Sequence, residues 1–159
     1  MRRFRNKIFT YYFFVFILFT MAILVFQFNR EREFRKSQLE SLLDNISEMT
    51  SLYIAGNHLD ISGDLGSIDS LAGIIPLKNT RITVITIDGR VVYDSYVDNY
   101  EALENHAGRP EIISALAHGK GSSIRTSSST GKEYFYYARL FNGYIVFSLI
   151  YFRDNHFSG

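Results

Sequence analysis

Cysteine is absent from this 159-residue chain. Disulfides, thiolate nucleophiles and cysteine-based zinc sites are thereby excluded, and the absence fits either redox compartment. An excess of charge of either sign is missing too, since 17 Lys and Arg stand against 16 Asp and Glu, a formal net charge of +1. The cations are scattered rather than blocked, so nothing here has the footprint of a nucleic-acid binder. One stretch lacks charge altogether. Residues 8–29 run for 22 positions without a formal charge, enough as a helix to cross a hydrocarbon core of about 30 Å. A cleaved secretory signal would carry a shorter apolar region, of about 7–15 residues, and a small-residue cleavage site. Ala22 is the only Ala, Gly or Ser in the run. The expectation is an uncleaved anchor in contact with membrane lipid.

Basic residues resist translocation, which sets the expected orientation. Arg2, Arg3, Arg5 and Lys7 precede the run, so residues 1–7 are expected in the cytoplasm and the rest of the chain, after a single span, outside it. Arg30, Arg32, Arg35 and Lys36 lie just beyond the run and are partly neutralised by Glu31 and Glu33. The remaining 120 or so residues suffice for about one modest domain.

Gly and Pro are missing between residues 30 and 53, and good helix formers fill that segment, so the membrane helix is expected to continue as a juxtamembrane helix over residues 30–56. Leu39, Leu42, Ile46, Met49 and Tyr53 recur within it at spacings of three and four. Such a seam packs either on its own domain or on a second copy, and the second option makes a homodimer the expected assembly. Gly56 and Asn57 are the stop signal. Residues 57–80 read as a linker with a short helix at 68–75 that Pro76 closes.

From residue 81 the period changes from helix to strand. Residues 81–87 are apolar and β-branched, Asp88-Gly89 is a hairpin dipeptide, and residues 91–93 form the return strand. Arg109-Pro110-Glu111 starts a helix with Pro at its first position and Gly119 stops it. Three strands follow at 122–128, 133–141 and 144–152, joined by turns at Thr130-Gly131 and Asn142-Gly143. Turns this short require antiparallel pairing. The expected class is α+β: a five-stranded antiparallel sheet with a helical insert over residues 81–152, its helices on one face.

The run Arg81-Ile-Thr-Val-Ile-Thr-Ile-Asp-Gly-Arg-Val-Val-Tyr-Asp-Ser95 resembles the opening of the PAS-like extracytoplasmic sensor domain of PhoR-type sensor histidine kinases. The resemblance continues through Leu103-Glu104-Asn105-His106, Arg109-Pro110-Glu111-Ile112 and Ala115-Leu116. It extends to Gly119, Gly121, Arg125, Ser127, Thr130-Gly131 and Tyr136-Tyr137-Ala138. The apolar run and the helix after it resemble the first transmembrane segment of that family. The resemblance implies a membrane-anchored input module of a two-component system in a bacterial inner membrane, with the PAS-like domain in the periplasm and an unknown small molecule or protein as its signal. Such kinases continue into a second span, a phosphoacceptor helix pair and an ATP-binding domain. The seven residues 153–159 after Phe152 leave no room for these. The expectation is therefore a truncated N-terminal piece, which reaches a response regulator only if the kinase region is present.

Catalytic chemistry finds no frame in the sequence. None of His58, His106, His118 and His156 is followed by the acid that accompanies a phosphoacceptor histidine in the family, and none forms an i, i+4 pair for zinc. Gly131-Lys132 lacks the Gly and the Ser or Thr of a phosphate-binding loop, because Thr126 and Glu133 hold those places. No cofactor and no metal are expected. One polar cluster stands out: Asn105 and His106, with Arg109 nearby and Arg125 later in the chain, are candidates for a ligand site. Guanidinium groups match carboxylate or phosphate with paired hydrogen bonds. A structural network capping the Pro110 helix is the competing reading. At the level of the whole chain, the rivals to a sensor are a bitopic scaffold that uses the juxtamembrane helix and a tethered hydrolase, for which no constellation exists.

Overall fold

The structure, a computed structural model, describes residues 2–61, 63, 65–75, 80–127 and 130–152. Pro76 and the tail 153–159 lie outside these residues. Helix α1, Arg2–Gly56, is unbroken for 55 residues, as a segment without an internal Pro or Gly allows. The chain divides within it into two compact units, Met1–Ser37 and Gln38–Gly159.

In the first unit the large apolar side chains from Ile8 to Phe28 are exposed. With a mean hydropathy of 2.4 over its most apolar 18 residues, α1 is long and apolar enough to cross a membrane. The two threonine hydroxyls in this run are closed within the helix. Thr10 Oγ1 donates to the Asn6 carbonyl at 2.8 Å and Thr20 Oγ1 to the Phe16 carbonyl at 2.9 Å, which removes the cost an apolar medium places on a free donor.

The second unit is built on five strands: β1 Thr80–Thr86, β2 Val91–Asp94, β3 Lys120–Thr126, β4 Glu133–Phe141 and β5 Tyr144–Tyr151. Every pairing is antiparallel and the order is β2-β1-β5-β4-β3. Helix α2, Ile68–Ile74, precedes the sheet, and helix α3, Pro110–His118, stands between β2 and β3 after a short 3-10 turn at Tyr100–Ala102. This is the expected α+β fold, PAS-like, with its helical insert. The β1–β2 loop turns on Gly89 at φ 88°, with Gly89 N–H donating to the Thr86 carbonyl and Thr86 N–H to the Arg90 carbonyl, both at 2.9 Å. A left-handed residue at that position closes a three-residue hairpin loop with little steric cost only when it is Gly.

Helices cover both faces of the sheet, not one. Leu43, Ile46 and Ile54 of α1 and Ile68 of α2 pack with Ile82, Val84, Phe135, Tyr137 and Val146. On the other face Ile112 and Ala115 of α3 pack with Ile85, Val91, Tyr136, Ala138, Ile145 and Phe147. The unbroken buried runs of β1 and β5 are the physical sign of this, since a sheet wetted on one side alternates.

The stripe expected as a dimer seam takes part in the same packing. Ile46 is 3% exposed in the core of its own domain, Leu39, Leu42 and Tyr53 rest against that core, and Met49 is 47% exposed. A stripe at spacings of three and four suits a sheet in the same chain as well as a partner helix, and here the sheet occupies it. Polar bonds fix the register of helix on sheet. Arg139 pairs with Asp44 at 3.0 Å and with Glu48 at 2.6 Å, Tyr137 Oη donates to Asp44 at 2.5 Å, and Tyr144 Oη donates to Ser51 at 2.9 Å. Burial and the Asp44 carboxylate push the Tyr137 phenol upward, so it stays a donor.

Candidate functional site

Strand alternation places Arg81, Arg125, Tyr134, Tyr136, Leu149 and Tyr151 on the α3 side of the sheet. The register brings them together: Arg81 is opposite Leu149, Tyr136 opposite Leu149, Arg125 opposite Tyr134, and Tyr134 opposite Tyr151. Helix α3 covers only part of this face. The uncovered part is a cavity of about 540 Å³, walled by these six residues together with Tyr96, Arg109, Thr130 and Lys132. That volume lies within the range of about 300–1,000 Å³ common for small-molecule sites.

Two of its four cations are committed to carboxylates of the protein. Arg81 donates Nε to both oxygens of Asp94 at 2.9 and 2.8 Å, and its Nη2 lies 2.8 Å from Oδ2. Asp94 also accepts from Thr83 Oγ1 at 2.8 Å and from the Tyr96 N–H at 2.9 Å. Arg125 Nη2 donates to Glu111 Oε1 at 2.9 Å, and Ser123 Oγ donates to the second oxygen at 2.7 Å. Glu111, in the first turn of α3, is completely buried. The Arg125 guanidinium lies 3.7 Å from the centroid of the Tyr136 ring, and its Nε is buried without a partner among the described residues.

Arg109 and Lys132 are the other two cations. Among the described residues no carboxylate lies within salt-bridge reach of either. Arg109 rests over the Phe147 ring at 5.4 Å and Lys132 over Tyr151 at 5.5 Å. Burial, and then the neighbouring Arg125 charge, lower the Arg109 pKa from its ordinary value. A guanidinium remains protonated regardless, and the Glu111 carboxylate, ion-paired with Arg125, offsets its field only in part.

Of the four residues singled out in the sequence, Arg109 and Arg125 meet in the cavity and Asn105 and His106 do not line it. Asn105 pins the helical insert to the hairpin: its Nδ2 donates to the Asp88 carbonyl and its Oδ1 accepts from the Ala107 N–H, each at 2.8 Å. A Cβ at Gly89 would collide with Asn105 and Ala107, so the close seat of this loop depends on that glycine. His106 is 3% exposed, edge-on to Phe147 at 5.9 Å, with Nδ1 unpartnered among the described residues. Its pKa is pressed down to about 4, first by burial and then by Arg109. It supports the ring beneath Arg109 as a neutral group. Arg81, Tyr96, Lys132, Tyr134 and Tyr151 entered the site without being singled out. For Arg81, Tyr134 and Tyr151 the signal was the strand register, which needs the pairing scheme before it can be read, whereas Tyr96 and Lys132 lie in loops beside the strands.

Among the described residues no cluster of three His, Asp or Glu side chains could hold a metal. No protein-family model matches the chain and no curated protein matches it. Among solved structures, the sensor domain of the V. cholerae histidine kinase DctB aligns with a TM-score of 0.47 and 18% identity, covering 77% of this chain. The alignment covers 54% of that sensor domain, so this chain spans about half its length.

Proposed function

We propose that the chain is the membrane-anchored, extracytoplasmic input module of a PhoR-type two-component sensor histidine kinase. The observation that carries this reading is the two-sided use of strand β4. Tyr134 and Tyr136 on one face wall the cavity, while Tyr137 and Arg139 on the other bond to Asp44 and Glu48 of α1. α1 also contains the stretch apolar enough to cross a membrane. An occupant that shifts β4 therefore has a short covalent and hydrogen-bonded route to the helix.

In this reading residues 8–29 span the bilayer once, residues 1–7 are cytoplasmic and the domain lies outside the cytoplasm. Two copies pair in the plane of the membrane. The helix surface left for that pairing includes Met49 and Leu52, 47% and 62% exposed, because the sheet already covers Ile46. Fusions of an alkaline phosphatase and of a cytoplasm-dependent fluorescent reporter at Gly159 test the topology. The proposal expects activity from the phosphatase alone. Fluorescence without phosphatase activity would place the domain in the cytoplasm and end the proposal.

A further inference from the structure

We infer that the cavity binds a small organic dianion, a phosphate monoester or a dicarboxylate, with its charged head on Arg109, Lys132 and Arg125 and its body against Tyr96, Tyr134 and Tyr151. The inference deepens the sensor reading by giving the input a chemical class. Charge matching is the first argument. Arg81 and Arg125 are neutralised by Asp94 and Glu111, and those carboxylates are locked in turn by Thr83, the Tyr96 N–H and Ser123. Arg109 and Lys132 are left without a counter-charge among the described residues, and together they ask for two negative charges. Unpaired cations gathered in a concave, partly dry site favour an anion far more than the same charges on an open surface.

Geometry is the second argument. The Arg125 guanidinium is held against the Tyr136 ring at 3.7 Å and by its bond to Glu111, and its Nε has no partner among the described residues. A donor fixed in advance loses little freedom on binding. The cavity volume of about 540 Å³ leaves room for more than a bare oxyanion. Tyr96 and Tyr151, 61% and 38% exposed, present ring surface beside the charged end. A ligand with a flat or cyclic body covers those rings.

Four probes sharing one body separate the terms: phenyl phosphate, phthalate, benzoate and benzyl alcohol. Each is titrated calorimetrically at pH 7.5 into the full chain in lipid nanodiscs. Phenyl phosphate is a dianion there, its second ionisation lying near about 6. At least one of phenyl phosphate and phthalate is expected to bind tenfold or more tightly than benzoate, with benzyl alcohol weaker still. The tighter of the two names the source of the charge, phosphoryl or carboxylate. Arg109→Ala should weaken the dianion by about tenfold or more, the scale of a charge-assisted hydrogen bond, and Arg109→Lys should recover part of the loss. Thermal unfolding of both variants verifies that they are folded. Equal affinity for benzoate and the dianions, or no dianion binding up to about 10 mM, would overturn the inference. The wild-type comparison decides this even if a variant does not fold. Topology reporters are unaffected by either result, so the ligand class and the sensor reading fail separately.

Discussion

At His106 the domain holds a neutral imidazole where an unfolded chain would hold a titrating one. Its folded pKa, near 4, lies below the ordinary 6.5 because burial and Arg109 oppose the charge. Between those values the unfolded state binds the extra proton, so stability falls as pH drops from 6.5 toward 4 and levels off below. One proton sets a maximum slope of about 1.4 kcal/mol per pH unit. Chemical denaturation across this window should show that slope, and His106→Gln should flatten it. Asp94 gives a second expectation. It is buried under three donors, and Asp94→Asn leaves the Arg81 guanidinium without its counter-charge, which should cost about 2–4 kcal/mol of stability. Gly121 gives a third. A Cβ there would collide with the Glu111 carbonyl and Ser114, the point where α3 sits on β3. Gly121→Ala should therefore cost about 1–3 kcal/mol by overpacking, whereas Gly73→Ala, with open space around it, should change the thermal midpoint little.

Individual elements differ in how plainly the sequence announces them. Turns were legible because their chemistry is local: Gly89, Gly119, Gly131 and Gly143 all sit at positive φ, where the sequence placed its stops and hairpins. Helix α3 begins at Pro110 and ends against a left-handed Gly119 for the same reason. The partner of the α1 stripe was not legible, because period alone does not say whether a sheet or a second helix fills the groove. Nor was the site, whose cations come from β1, β3, the β3–β4 turn and the start of α3. Arg109 and Arg125, candidates by side-chain type, both line the cavity, whereas Asn105 and His106 share only their sequence neighbourhood. Engineered cysteines examine the consequence for α1, in a chain that has none of its own. In membranes, Leu52→Cys and Met49→Cys should cross-link between copies while Ile46→Cys should not. Cross-linking at Ile46 with none at Leu52 would restore the original seam.

For the molecule as a whole, the claim is that occupancy of the cavity reaches the helix that carries the apolar stretch. The route runs through β4, from Tyr134 and Tyr136 to the bonds of Tyr137 and Arg139 with Asp44 and Glu48. Hydrogen–deuterium exchange of the full chain in nanodiscs, with and without the tighter of phenyl phosphate and phthalate, reads both ends of that route at once. Slower exchange over β4 together with a change in α1 between Leu39 and Ile54 is the predicted result. Protection confined to the cavity strands, with α1 unchanged at saturating ligand, would contradict an input module and leave only a binding domain.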